Sequence, residues 1–207
     1  MKILITAGAT WIKIDDVRVI TTIFSGNTGI YLARNFKKEG HVVTLVVNSP
    51  CLNRKELKGI KVIPFKYFED FKKRITDEVK ANRYDAIIHS AAVADYKLGK
   101  VFKGKVPSGK KSLALKLVPA EKIIKTIRSF QSLAILVQFK LEIKRKGLIR
   151  EAFKSLKANK SNFVVANALE DLRLGYKSFI VDTDKNVIMI NSKKSLFDNL
   201  EKVINRR

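Results

Sequence analysis

Two periodicities run along this chain and they alternate. Short, uninterrupted apolar runs at 3–6, 42–47, 85–89, 133–138 and 162–166 have the length and composition of strands buried on both faces. Between most of them the apolar positions recur at helical spacing, over 29–39, 67–81, 120–127 and 148–156. The first of these carries Ile30, Leu32, Ala33 and Phe36 on one face and stops at Gly40, a C-terminal signal for a helix. Strands alternating with helices predict an α/β fold: a three-layer, Rossmann-like arrangement around a mostly parallel central sheet.

Two segments break the alternation. Residues 98–117 hold Gly99, Gly104, Pro107, Ser108 and Gly109 among lysines and end in Leu113-Ala114-Leu115-Lys116-Leu117, which predicts a protruding arm finishing in an exposed strand over 113–117. Farther on, 178–182 and 187–190 flank the turn Thr183-Asp184-Lys185-Asn186 and predict a C-terminal β-hairpin. An amphipathic helix over 193–204 closes the chain. No repeat, low-complexity linker or composition boundary divides it, so 1–207 is expected to form one domain.

Composition narrows the classes. With 46% hydrophobic and 29% charged residues the chain lies far from the disordered range. Its one cysteine, Cys51, cannot close an internal disulfide, and no Cys/His cluster suggests structural zinc. The apolar stretch after Met1 is too short for a signal peptide or membrane span, so a cytoplasmic protein with no membrane contact is expected. The net charge of +23 favours anionic partners, whether RNA, anionic lipid or phosphorylated substrates. The lysines are spread along the whole chain, and the interleaved aromatics of RNA-binding surfaces are missing. Nucleic acid is therefore not expected as the partner.

Candidate chemistry collects where strands end, which is where open α/β sheets bind ligands. After the first strand come Gly8-Ala9-Thr10 and then Ser25-Gly26-Asn27-Thr28-Gly29; small residues there let backbone N–H groups approach an anion at a helix start. The third strand runs into Ala91-Ala92-Val93-Ala94-Asp95-Tyr96, where small side chains leave room for a ligand and Asp95 is positioned to hold a metal ion on phosphate oxygens. Phe139 to Glu142 and Asn167 follow two further strands, and Lys105 sits on the glycine-containing arm. Each has an ordinary reading too: Asp95 as a helix cap, Lys105 as one of 42 basic residues. His41 and His89 fit no nucleophile arrangement and receive no catalytic role.

In their order and spacing these segments resemble the phosphopantothenoylcysteine synthetase family, the ligases that in many organisms are fused behind a flavin-containing decarboxylase. Thr6-Ala7-Gly8-Ala9-Thr10 is similar to the family's T-[AS]-G-G-T, Ile14-Asp15-Asp16-Val17-Arg18 to I-D-P-V-R, and Ala91 to Tyr96 to A-A-V-[AS]-D-Y. Phe139 to Glu142 and Val165-Ala166-Asn167 match two more motifs. The resemblance implies a nucleotide-dependent ligase of coenzyme A biosynthesis, taking 4'-phosphopantothenate, cysteine and CTP or ATP with Mg2+, without flavin, as a homodimer. It implies nucleotide contacts for Gly8, Ser25, Gly26, Ala91, Asp95, Lys105, Phe139 and Lys154, with Asp95 on the metal. Ala92 and Asn167 would face the acid substrate, and Thr22 and Lys105 would act in catalysis. Thr22 departs from the family's asparagine; Ala158 and Ala168 stand where a lysine and an aspartate occur. A diverged, non-catalytic nucleotide binder is the alternative, and a basic RNA-binding protein on the same scaffold is a second.

Overall fold

A computed structural model describes residues 1–48, 50, 57–109 and 111–205, the side chains of 173 and 174 apart. Cys51 lies outside the described residues. Six strands form the parallel body of an eight-stranded sheet: β1 (Lys2–Ala7), β4 (Val42–Asn48), β5 (Lys61–Phe65), β6 (Ala86–His89), β9 (Ile135–Glu142) and β10 (Phe163–Ala168). The hairpin β11 (Ser178–Asp182) and β12 (Val187–Ile190) extends it antiparallel, giving the order β12-β11-β10-β9-β6-β1-β4-β5. Strand order reverses between β1 and β6. Such a reversal opens a crevice at the strands' C-terminal ends.

The alternation of side chains along β1 sorts the layers. Ile3, Ile5 and Ala7 pack with Leu32 and Phe36 of α1 (Asn27–Lys38) and Leu196, Phe197 and Leu200 of α6 (Lys193–Asn205). Leu4, on the other face, joins Phe68, Phe71 and Ile75 of α2 (Phe68–Ala81) and Ile123 and Ile127 of α3 (Ile123–Phe130). Leu148, Ala152 and Leu156 of α4 (Leu148–Asn159) cover Val164, Ala166 and Val181. Helices thus flank the sheet on both faces, and the three-layer expectation holds. The many surface ion pairs, such as Lys73–Asp77 at 2.8 Å, are screened by solvent and contribute little. Packing of the two apolar layers carries the fold.

Several boundaries differ from the sequence expectation, each for a physical reason. The fourth expected strand begins at Ile135 and not at 133, and runs on to Glu142; Leu133 is 86% exposed and sits in the turn before it. The expected arm strand over 113–117 is instead β8 (Leu117–Pro119), paired antiparallel with β7 (Tyr96–Leu98). That pairing continues through Ala120, whose N–H donates to Asp95 O at 2.8 Å, so the helix expected from 120 starts at Ile123. Strand β5 was hidden by Pro64, which an edge strand tolerates. A short hairpin, β2 (Ile12–Lys13) with β3 (Val19–Ile20), and α5 (Leu169–Leu174) also lacked a periodic signature.

His89 closes the buried end of β6, stacked on Phe71 with ring centroids 6.2 Å apart. Burial lowers its pKa to about 4, so the folded protein keeps the ring neutral, while in the unfolded chain it titrates near pH 6.5. Between about pH 6.5 and 4 the unfolded state binds the extra proton, so stability falls as pH drops, by about 3 kcal/mol at pH 4. His89→Asn keeps an acceptor near the Nδ1 position but does not titrate there. Denaturant unfolding at pH 7 and pH 4 should show wild type losing about 3 kcal/mol more than the variant; equal losses would show that His89 is not held neutral by the fold.

Candidate active site

The ends of β1 and β6 do not splay apart after the last sheet residue. Ala92 N–H donates to Gly8 O at 3.0 Å, Thr10 N–H to Ala92 O at 3.1 Å, and Ala94 N–H to Thr10 Oγ1 at 2.9 Å. The Ala91 N–H donates to Thr6 Oγ1 at 3.1 Å, which leaves the threonine proton for His89 Nδ1 at 2.9 Å. Asn48 at the end of β4 adds a bond from Nδ2 to Ala9 O at 2.5 Å. Strand-end loops are usually the loosest parts of such a sheet; here they form a fixed floor.

Helix α1 begins directly on that floor. Gly26, its cap, has φ +80, and a Cβ added there would lie 2.5 Å from Gly8 N. In the first turn, a Cβ on Gly29 would fall 2.5 Å from Ser90 Oγ and 2.7 Å from the Ala7 side chain. Gly26 has no side chain with which to cap the helix, and no acidic residue stands in its first turn. Its unsatisfied N–H groups and the positive end of its dipole therefore face outward, a setting that favours an anion.

What they face is a cavity of about 350 Å³, of a size suited to a small-molecule ligand. One wall is the run from Phe24 to Gly29, the floor is Ser90 to Ala92, and Phe139 to Leu141 and Asn167 supply the opposite wall. Of the residues singled out in the sequence, Ser25, Gly26, Ala91, Ala92, Phe139 and Asn167 meet here. Gly8 lies immediately behind, in contact range of Gly26.

Others do not line this cavity. Thr22 is exposed in the loop between β3 and α1, and Lys154 is exposed on α4. Asp95 pairs with Lys122 Nζ at 2.5 Å, its side chain 68% exposed. Lys105 is exposed on the arm, next to Val106, which is buried. Among the described residues no group of three or more His, Cys, Asp or Glu side chains forms a cation site. A single carboxylate such as Asp95 nevertheless suits magnesium, which keeps most of its waters and is commonly shared with substrate phosphates.

The structure adds groups the sequence reading passed over. Lys140, 3.0 Å from Glu142, and Lys193 bring two cations to the cavity, and Tyr176 lines it from beyond β10. Lys140 was legible inside the run from Phe139 to Glu142. Tyr176 arrives in the connection between α5 and β11 and Lys193 directly after β12, and no local pattern announces that these parts of the chain return to the site.

The C-terminal domain model of the DNA/pantothenate metabolism flavoproteins matches residues 1–204. The chain is 34% identical over 176 residues to the coenzyme A biosynthesis bifunctional protein CoaBC of Thermococcus kodakarensis, covering 82% of this chain and 41% of that protein. To the protein of the same name from Methanocaldococcus jannaschii it is 33% identical over 208 residues, covering 98% and 50%. The chain thus spans half or less of the length of these curated relatives. A solved C-terminal domain of a CoaBC protein superposes with a TM-score of 0.80 at 26% identity, over 98% of this chain and 93% of that one. The DNA/pantothenate metabolism flavoprotein of Streptococcus pneumoniae shares the fold, with a TM-score of 0.87 at 23% identity over 99% and 98%. The chain belongs to the DNA/pantothenate metabolism flavoprotein C-terminal domain family.

Proposed function

We propose that this domain joins L-cysteine to 4'-phosphopantothenate at the expense of CTP or ATP, as a cytoplasmic homodimer. The observation that carries the reading is the uncapped N-terminus of α1, set on a fixed floor and opening into a cavity with two lysines. Sequence similarity to proteins named for coenzyme A biosynthesis supplies the substrate class. Exposed apolar side chains on the arm support the dimer: Val101, Phe102 and Leu117 are 44%, 38% and 44% exposed.

The chemistry proceeds in two steps. A phosphopantothenate carboxylate oxygen attacks the α-phosphorus of the nucleotide; the bond to the bridging oxygen breaks and pyrophosphate leaves. The cysteine amine then attacks the acyl carbon and gives up a proton to solvent, and the nucleoside monophosphate departs. The first transition state spreads negative charge over phosphate oxygens and the second develops it on the acyl oxygen and the departing phosphate, so fixed donors and cations lower both barriers. Ser25, Gly26 and the first turn of α1 supply the donors, and Lys140 and Lys193 supply charge. Phe139 offers an apolar wall beside the small floor residues Ala91 and Ala92, and Asn167 an amide for the acid substrate. Gly8 permits the close approach of the turn. A bound magnesium ion would neutralise phosphate oxygens, with Asp95 as its carboxylate once Lys122 is released. Lys105 on the arm and Lys154 on α4 would reach the phosphates only as the bound complex assembles. No flavin takes part in this half of the pathway chemistry.

Titration calorimetry with CTP and ATP in the presence of Mg2+ should give saturable binding of at least one, and the three substrates together should yield the amide product. Absence of heat with every triphosphate would contradict the reading. Thr22 bears on the second step. A hydroxyl cannot reproduce an amide's paired donor and acceptor, so in single-turnover quenching the acyl-nucleotide should accumulate. Thr22→Asn should speed its transfer to cysteine, by on the order of 10²–10³ if one oxyanion-type donor is restored. Binding without any acyl-nucleotide would favour a non-catalytic nucleotide binder instead.

A further inference from the structure

The turn after β2 holds a buried carboxylate that the two reaction steps do not use. Asp15 is 1% exposed, and its two oxygens serve different parts of the chain. Oδ1 accepts the N–H groups of Val17 at 2.8 Å and Arg18 at 2.7 Å, which shapes its own turn. Oδ2 accepts the N–H of Val106 at 3.0 Å and Arg18 Nη1 at 2.5 Å, and Arg18 Nη1 also donates to Val106 O at 3.1 Å. The peptide units on both sides of Val106 are thus gripped, 91 residues away in sequence.

Neighbouring bonds run the same way. Asp16 N–H donates to Gly104 O at 3.1 Å, and Phe102 N–H to Ile14 O at 2.9 Å. Burial alone would raise the Asp15 pKa; the Val106, Val17 and Arg18 donors overcome this and hold the carboxyl well below the usual range. The turn leads through β3 into the loop carrying Thr22 and the glycine turn, and Thr21 Oγ1 ties that loop to Thr10 O at 3.3 Å. Lys105 precedes the gripped residue directly.

We propose that Asp15 is a positioning residue, which through Oδ2 and Val106 fixes Lys105 on the arm relative to the glycine turn. This rests on the ligase reading only for what Lys105 does; the clip itself is independent of it. Asp15→Asn separates the two oxygens. Its single oxygen faces four donors, and the local turn keeps it, so the arm loses its acceptor while an NH2 group now opposes the Val106 N–H.

Two measurements decide the matter. By amide hydrogen exchange in the wild type, Val106 should be protected relative to Lys105 by roughly tenfold or more, and Asp15→Asn should remove that protection while β1 and β6 amides keep theirs. An unprotected Val106 in the wild type overturns the clip, whether or not the variant folds. In acyl-nucleotide formation, Asp15→Asn and Lys105→Ala should each lower kcat/KM, and the double variant should be no slower than Lys105→Ala alone. Multiplying losses would overturn the positioning role, since a general loss of structure adds to any other defect. If the wild type forms no acyl-nucleotide, the ligase reading fails, and the exchange of Val106 still decides the clip.

Discussion

The site depends on how closely backbone is allowed to approach backbone at the end of β1. Gly26 can begin α1 against Gly8 because neither carries a side chain, and Gly29 lets the first turn settle on Ala7 and Ser90. An alanine at Gly26 would have to occupy space 2.5 Å from Gly8 N, well inside van der Waals contact. Any larger residue there moves the helix start off the sheet. The anion-facing N–H groups would move with it.

From that constraint the remaining features follow in order. Loops after β1 and β6 are bonded to each other across Gly8, Thr10 and Ala92, which fixes the floor; Thr6 and His89 hold the next residue, Ala91, from beneath. On the proposed ligase reading, fixed donors would matter because a phosphate transition state rewards dipoles already in place and gains little from ones that must reorganise. The cations are arranged differently. Lys140 stands on β9 and Lys193 at the start of α6, whereas Lys105 is carried on an arm beside Val106, whose side chain is buried and whose N–H donates to Asp15.

Much of this was legible in the chain. Parallel strands buried on both faces leave uninterrupted apolar runs, so five of the six were found, and the turn residues between them marked the C-terminal edge where ligands bind. Strand β5 escaped because it lies at the sheet's border and tolerates Pro64. Gathering at one cavity could be anticipated for Ser25, Gly26, Ala91, Ala92, Phe139 and Asn167, since each follows a strand of known direction. The places of Lys193 and Tyr176 in the lining could not, because Lys193 is returned by an antiparallel hairpin and Tyr176 by the short connection after α5, and both paths are tertiary matters. Asp15 shows the converse: its motif was visible, yet its partner is set by a 91-residue contact that no local pattern encodes.

The most direct test compares Gly26→Ala with Gly147→Ala. Both positions have positive φ, +80 and +82, and both cap helices. Both substitutions should therefore cost roughly 1–2 kcal/mol of stability from backbone strain. Only Gly26 is packed against the sheet; a Cβ at Gly147 meets nothing closer than Arg150 Nη2 at 3.6 Å. Measured by calorimetry with CTP and ATP on samples confirmed folded, triphosphate binding should be lost in Gly26→Ala and retained in Gly147→Ala. Unchanged affinity in Gly26→Ala would contradict the account, for the helix start would then not be the phosphate seat.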